Sequence, residues 1–375
     1  MKIIYVVNVD WFFISHRLPI AIEAKKKGWE VLVLAGDTGR GNILNKYGIK
    51  FVPWKISRSG TNILDEFSAF FHLVKIVKSF NPHIVHNVGI KSVIYGSITS
   101  ILLKKPYINA IAGLGFVFGS TLKAKIIKQF VTPFFRIIFN SKKSKLILQN
   151  RDDIKLFTEN GYCPLSKIRL IRGSGVNLNE FKFVPEIVSE YSLVCLPSRM
   201  LWDKGIGEFV QAIRILKTRN PDLKVKFILA GGIDKENPAK IPKEQILEWV
   251  KEGLLEWWGH RENMVELLST VNMVVLPSYN EGLPKVLIEA AAIGRVIITT
   301  DVPGCRELII DDINGIIIPP KNAASLANAI QLLLKDKEKC KLFIKNGLEI
   351  VRKDFPIEYV VESTFNVYNS VLVST

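Results

Sequence analysis

Cysteine is scarce. The 375 residues hold four, Cys163, Cys195, Cys305 and Cys340, far apart and with no C-x-x-C pair. That argues against a disulfide scaffold and a cysteine zinc site, and leaves reduced thiols as the expectation. Long apolar runs are missing: none reaches the roughly 18 uncharged residues of a spanning helix. The N-terminus has one Lys, then strand-like residues and Asp10, and does not resemble a signal peptide. No D-x-D triplet occurs, and no His, Asp and Glu cluster with metal-ligand spacing sits at an expected strand end, so no metal is expected. Acidic residues are absent between Glu66 and Asp152, a stretch with 13 Lys or Arg.

What is present is apolar material for large cores, 48% of the residues, and a net charge of +16 that is unevenly placed. Residues 1 to 185 hold 28 basic and 10 acidic side chains, a net of +18, and the remainder is close to neutral. A solvated surface normally mixes signs. One-sided charge on this scale points to an anionic partner: nucleic acid, a membrane surface or a polyphosphate.

Both halves alternate apolar strands with amphipathic helices. Ile3–Val7, Val31–Leu34, Ile84–His86 and Tyr107–Ile111 read as buried strands in the first half. Leu193–Leu196, Lys226–Ala230, Met273–Leu276, Val296–Thr299 and Gly315–Ile318 do so in the second. Near-continuous apolar strands between helices predict parallel sheets covered on both faces, with ligands beyond the strands' carboxyl ends. The expected class is α/β, two doubly wound Rossmann-like domains facing a central cleft. A linker is placed at Phe183 to Ser192. The expected domains are 1–184, 185–356 and a C-terminal helix, 357–375, crossing back to the first.

Three strand-end segments carry chemistry. After Leu276 the chain reads Pro277-Ser278-Tyr279-Asn280-Glu281-Gly282-Leu283-Pro284-Lys285-Val286-Leu287-Ile288-Glu289, with Pro284 at a helix start. Amides at that helix N-terminus suit an anion, and Glu281 and Glu289, eight positions apart, suit sugar hydroxyls. Equally, one could be a loop carboxylate and the other solvent-facing. After Leu196, Arg199 and Lys204 stand where two cations would clamp a diphosphate. The loop after the first strand, Asp10 to Pro19, is aromatic and has no G-x-G-x-x-G, which argues against a dinucleotide fingerprint. Its His16 reads as a proton carrier, a phosphate partner or a locally packed side chain. His86, in Val85-His86-Asn87, reads as a ligand-facing residue at a strand end.

Arg199 to Gly205, Glu281 to Glu289, and Pro303-Gly304-Cys305-Arg306-Glu307 followed by Asn314-Gly315 resemble the donor domain of retaining glycosyltransferases of family 4, whose architecture is GT-B. Asp10 to Pro19, Val85-His86-Asn87 with Lys91, Ile111 to Gly115, and Gln149 to Asp153 resemble a branch building lipid-linked bacterial surface oligosaccharides. The resemblance implies a metal-independent hexosyltransferase with no cofactor. It would move N-acetylgalactosamine or a related hexosamine from a UDP-sugar to an undecaprenyl-diphosphate-linked acceptor, at the cytoplasmic face of the inner membrane. Arg199 and Lys204 would neutralise the donor diphosphate, Glu289 would accept from the ribose and Glu281 would hold the donor sugar. Gly282, Leu283, Pro284, Lys285 and Val286 would contact phosphate and sugar, and Gly259, His260 and Arg261 would line the base pocket. Asp10, His16, Arg17, His86, Lys91, Gly113 and Gly115 would face the acceptor, His16 being a catalytic candidate. Many members carry a His after the strand matching Tyr107 to Ile111. Here the chain reads Ala112-Gly113-Leu114-Gly115, so that His has no counterpart.

Residues 116–145 interleave apolar and basic side chains without an acid, the pattern of an interfacial helix at an anionic leaflet. Phe116, Phe118, Lys123, Lys125, Lys128, Phe134 and Phe135 are the expected membrane residues, against the alternative of a packed helix pair with solvated lysines. Two rivals are a nucleotide-sugar epimerase of the same architecture and a basic nucleic-acid-binding protein. The paired carboxylates and cations speak against the first, and the lack of a binding module against the second.

Overall fold

The apolar runs form two parallel sheets. The computed structural model describes residues 1–56, 62–113 and 132–373. In the first sheet β1 (Lys2–Val7), β2 (Glu30–Ala35), β3 (Lys50–Pro53), β4 (Ile84–Val88), β5 (Tyr107–Ile111), β6 (Ser144–Leu148) and β7 (Ile168–Leu170) lie in the order β3-β2-β1-β4-β5-β6-β7. In the second, β8 (Ser192–Pro197), β9 (Val225–Ala230), β10 (Glu256–Trp257), β11 (Met273–Leu276), β12 (Val296–Thr300) and β13 (Ile316–Ile318) lie in the order β10-β9-β8-β11-β12-β13. Strand order reverses beside β1 and again beside β8. At such a switch point adjacent crossovers leave on opposite faces, opening a crevice at the carboxyl edge.

Alternation along β1 divides the first unit's core. Ile3, Tyr5 and Val7 pack with helix Leu18–Lys26 and the C-terminal helix Ile357–Leu372, while Ile4 and Val6 pack with helix Ile63–Phe80. The C-terminal helix buries Val360, Phe365, Val367, Tyr368 and Val371 on this sheet. Trp29 meets the rings of Phe365 and Tyr368 at 5.4 and 5.9 Å. The chain accordingly divides into Met1–Ser174 with Glu358–Thr375, and Gly175–Ile357. The residues expected as a linker, Phe183 to Ser192, fall inside the second unit. Val176 bridges to Pro356, and Phe181 is buried in that unit's core.

Other differences from the sequence reading are local. Asp10 to His16 is a helix rather than a loop, with an acid in its first turn, where the helix dipole favours negative charge. Helix Leu18–Lys26 then ends two residues before Gly28, whose φ is +74°. Strands β3, β6, β7 and β10 escaped notice because each is short and its apolar run is interrupted by a charged residue, Lys50, Lys145, Arg169 or Glu256. Asn150 caps helix Arg151–Glu159, accepting from the Asp153 amide at 2.7 Å while its own amide donates to the Asp153 carboxylate. Among the described residues no helix is long and apolar enough to cross a membrane.

Candidate functional site

Three loops of the second unit converge at its sheet's carboxyl edge. The first, after β8, carries Arg199 and Lys204 and reaches helix Ile206–Arg219 through Gly205. The second, after β11, carries Ser278 to Pro284 and opens helix Lys285–Ile293. The third, after β12, leads into the short helix Pro303–Arg306. Backbone contacts lock them together. The Tyr279 amide donates to Asp203 O at 2.9 Å, the Gly304 amide to Glu281 O at 3.2 Å, and the Thr300 hydroxyl to Ser278 O at 2.5 Å. Glycine is required at the closest approaches. A Cβ on Gly205 would lie 2.1 Å from Pro277 O, and one on Gly304 2.3 Å from Gly282 O.

Each expected cation in this arrangement already has a carboxylate partner. Lys204 Nζ lies 2.6 Å from Glu281 Oε1, which also accepts from the Ser278 hydroxyl at 2.8 Å. Arg199 Nη1 lies 2.7 Å from Asp234 Oδ2, on the loop after β9. Lys285 Nζ lies 2.8 Å from Glu289 Oε1, one helical turn on. Glu289 is 3% exposed. Burial raises its carboxyl's pKa, Lys285 opposes the shift and Glu180 adds to it. Gly282, Leu283 and Pro284 are buried, and no side chain caps the following helix. His260 and Arg261 are exposed after β10, with the Arg261 guanidinium over the Trp258 ring at 5.6 Å. Gly259 O accepts from the Gly231 amide at 2.7 Å, which joins this loop to the one bearing Asp234. Asp234 and Ser278 were missed. Gly231-Gly232 at the end of an evident strand was the available signal for Asp234.

In the first unit Asp10 is fully buried at the end of β1. Its Oδ2 accepts from the Thr38 and Arg40 amides at 2.8 and 3.0 Å, and its Oδ1 from the Thr38 hydroxyl at 2.6 Å and the Trp11 amide at 2.7 Å. Burial alone would raise its pKa, but these donors hold the carboxyl below the usual range. Asp10 thus ties the loop after β2 to the loop after β1. At the same strand end, Asn8 accepts from the Ser92 amide and hydroxyl, holding the start of helix Ile90–Leu102, which follows β4.

The acceptor-side candidates separate by depth. His16 is half-buried, stacked on Phe12 at 4.1 Å, with Nδ1 3.2 Å from Phe12 O. Arg17 is buried beside Tyr5 and Tyr368, and burial lowers its pKa to about 10. His86 is not at a ligand-facing strand end. β4 continues to Val88, and the imidazole lies inside the sheet's packing, 2.7 Å from the Tyr368 hydroxyl. Burial and then Arg17 hold its pKa well below the usual histidine value, so it is neutral near pH 7. Lys91 pairs with Glu66 at 2.7 Å. Gly113 is half-buried after β5, and Gly115 lies outside the described residues. Of the expected membrane residues, Phe116, Phe118, Lys123, Lys125 and Lys128 also lie outside them. Phe134 is half-exposed, but Phe135 is buried with Phe139, Phe157 and Tyr162, because it sits on the core-facing side of helical residues 132–140. Phe135 is therefore a core residue.

Comparison with known proteins gives matches along both halves of the chain. The model of the glycosyl transferases group 1 family matches residues 178–349, and that of the glycosyl transferase 4-like family matches residues 2–150. The chain is 30% identical over 360 residues to the N,N'-diacetylbacillosaminyl-diphospho-undecaprenol α-1,3-N-acetylgalactosaminyltransferase of Campylobacter jejuni, covering 90% of this chain and 92% of the relative. It is 26% identical over 323 residues to the UDP-Gal:α-D-GlcNAc-diphosphoundecaprenol α-1,3-galactosyltransferase of Escherichia coli, covering 80% and 81%. The crystal structure of Anabaena HepE in complex with UDP and glucose superposes with a TM-score of 0.77 at 17% identity, over 99% of this chain and all of that one. The chain belongs to the family 4 glycosyltransferases of GT-B fold, and is a hexosyltransferase.

Proposed function

We propose that the protein transfers N-acetylgalactosamine or a related hexosamine from a UDP-sugar to an undecaprenyl-diphosphate-linked sugar, retaining the anomeric configuration and needing no metal. The observation that carries this reading is the Lys204–Glu281 pair on the loop that opens the uncapped helix Lys285–Ile293, with the Lys285–Glu289 pair in that helix and Arg199, held by Asp234, on the loop that carries Lys204. The two lipid-diphosphate-dependent relatives supply the acceptor class. Arg199 and Lys204 neutralise the donor diphosphate, and the Lys285 and Val286 amides add their dipoles. The Asp234 and Glu281 carboxylates pair with these cations. An incoming diphosphate displaces them, freeing Glu281 to accept from a donor-sugar hydroxyl. His260 and Arg261 lie beside the base, and Glu289 accepts from the ribose. The leaving phosphate takes the acceptor's proton on the face it departs from, so retention needs no enzyme nucleophile. His16 is left an acceptor-binding role in this scheme, since the phosphate takes the proton. The epimerase and nucleic-acid readings gain no support: the matched families and the named relatives are transferases.

The direct test is transfer from a panel of UDP-sugars to undecaprenyl-diphosphate-linked monosaccharides. Product with no donor in the panel would overturn the reading. Glu289→Gln is expected to raise the KM for donor by about tenfold or more, with kcat little changed. A ribose contact is equal in ground and transition states, and a hydrogen bond to a charged group is worth about 1.5–3 kcal/mol. Burial raises the Glu289 pKa, so wild-type donor affinity is expected to weaken as pH is lowered through it and the carboxyl protonates into a weaker acceptor, which UDP titrations across pH measure. Activity is expected to survive excess EDTA, since the side-chain cations neutralise the diphosphate. Loss in EDTA with recovery on adding manganese would show that a metal does this instead.

A further inference from the structure

Helix Ile63–Phe80 has two apolar faces. One holds Ala69, Leu73, Val77 and Phe80, buried against the first sheet with Ile4, Val6 and Val85. At 3.6 residues per turn, Ile63, Leu64, Phe67 and Phe71 fall within an arc of about 100° away from that face. They are 68%, 77%, 58% and 65% exposed. A surface helix normally carries polar side chains there. Scattered exposed apolar residues need no explanation, but four large ones on adjacent turns do.

Their place in the fold is informative. The helix connects β3 to β4 in a parallel sheet, so it runs opposite to the strands and begins at their carboxyl edge. Glu66, in its first turn, pairs with Lys91 at 2.7 Å and accepts from the Tyr95 hydroxyl, both on the helix that follows β4. The stripe therefore flanks the edge from which the loop after β1 emerges. Further along the same side, Lys75 and Lys78 are exposed. The chain holds no acid from Phe67 to Arg151. Four such side chains offer on the order of 500 Å², short of the roughly 800 Å² per partner of a standard protein interface. Apolar anchors beside lysines are instead the composition that suits an anionic bilayer surface.

We propose that this face is a lipid-docking surface, with Ile63, Leu64, Phe67 and Phe71 entering the apolar boundary of an anionic leaflet and Lys75 and Lys78 at headgroup level. It rests on the reading of a membrane-borne acceptor, and it turns the carboxyl edge of the first sheet toward that substrate. The proposal draws on none of residues 116–128.

Co-sedimentation of the full chain with phosphatidylglycerol–phosphatidylethanolamine vesicles, against phosphatidylcholine vesicles, tests it. The wild type is expected to pellet with the anionic vesicles. Phe67→Ser/Phe71→Ser should lower the partition coefficient at least tenfold while leaving the UDP-induced rise in thermal midpoint unchanged, because both rings are exposed and far from the donor loops in sequence. Lys75→Glu/Lys78→Glu should weaken binding most at low salt. A double-serine variant that pellets like wild type, or a wild type that stays in the supernatant, overturns the proposal. So does a variant that converts a dimer to a monomer without changing vesicle binding, which would assign the face to a second copy. Absence of a UDP effect on the wild type would instead refute the donor site and leave the vesicle result standing.

Discussion

Lys204→Ala is expected to lower turnover by about 10²-fold or more, and Arg199→Ala by a similar factor, with smaller effects on acceptor binding. Negative charge builds on the diphosphate as the sugar departs, so cations aimed at it stabilise the transition state more than the bound substrate. Removing one preorganised electrostatic donor typically costs 10²–10³ in turnover. Lys204 is well placed for such an effect, because its ammonium is mostly buried and water screens it little. Arg199 is more exposed, and a lysine in its place would lose the planar fork that grips two oxygens. Steady-state kinetics with donor and acceptor varied separately give the measurement. Wild-type kcat in both alanine variants would remove these residues from the donor site. Asp234→Asn offers a finer check. It removes the charge that Asp234 sets against Arg199 Nη1, so tighter UDP binding with little change in kcat is expected if the carboxylate competes with the diphosphate.

Gly205→Ala is expected to cost about 3 kcal/mol of stability and roughly 10² in turnover, although the added group is one methyl. Its φ of +71° costs a non-glycine residue roughly 1–2 kcal/mol. The larger effect is steric. The new Cβ would lie 2.1 Å from Pro277 O, backbone of the loop that carries Glu281. That loop cannot stay in place, and a shift of about 1 Å in a catalytic constellation can cost 10²-fold. Gly253→Ala is the control. Its φ is +68°, but nothing lies within 4 Å of its added Cβ. It should cost about 1 kcal/mol and leave turnover intact. Urea unfolding and kcat for the two variants separate backbone strain from loop displacement. Equal losses in both would show that the close approach of the two loops has no catalytic consequence.

Much of the donor site was legible because each part is local. A strand, the loop after it and the helix it opens occupy some twenty consecutive residues, and the physics that makes them, apolar burial and a helix start at Pro284, is written in that order. Arg199, Lys204, Glu281 and Glu289 could be singled out without knowing where the loops meet. Their pairing could not. Lys204 meets Glu281 across 77 residues and Arg199 meets Asp234 across 35, through the strand order β9-β8-β11, which no local pattern encodes. The acceptor side was less legible for the same reason. His86 looks like a ligand-facing histidine until the Tyr368 hydroxyl, 282 residues later, is found against it.

By itself the sequence determined the two-sheet α/β class, most of the strands, the donor loops and the one-sided charge, because periodicity, strand-end glycines and prolines and charge runs act over a few residues. Tertiary structure alone decided the rest. It placed Phe181 and the expected linker, Phe183 to Ser192, inside the second unit, since apolar faces choose whatever surface buries them best, however distant in the chain. It turned Phe135 inward while leaving Phe134 half-exposed, a distinction of about 100° of helix rotation that composition does not contain. It also left Ile63, Leu64, Phe67 and Phe71 exposed on a helix whose opposite side was apolar enough to supply the core, so the sequence could not say which of the two faces would meet the sheet.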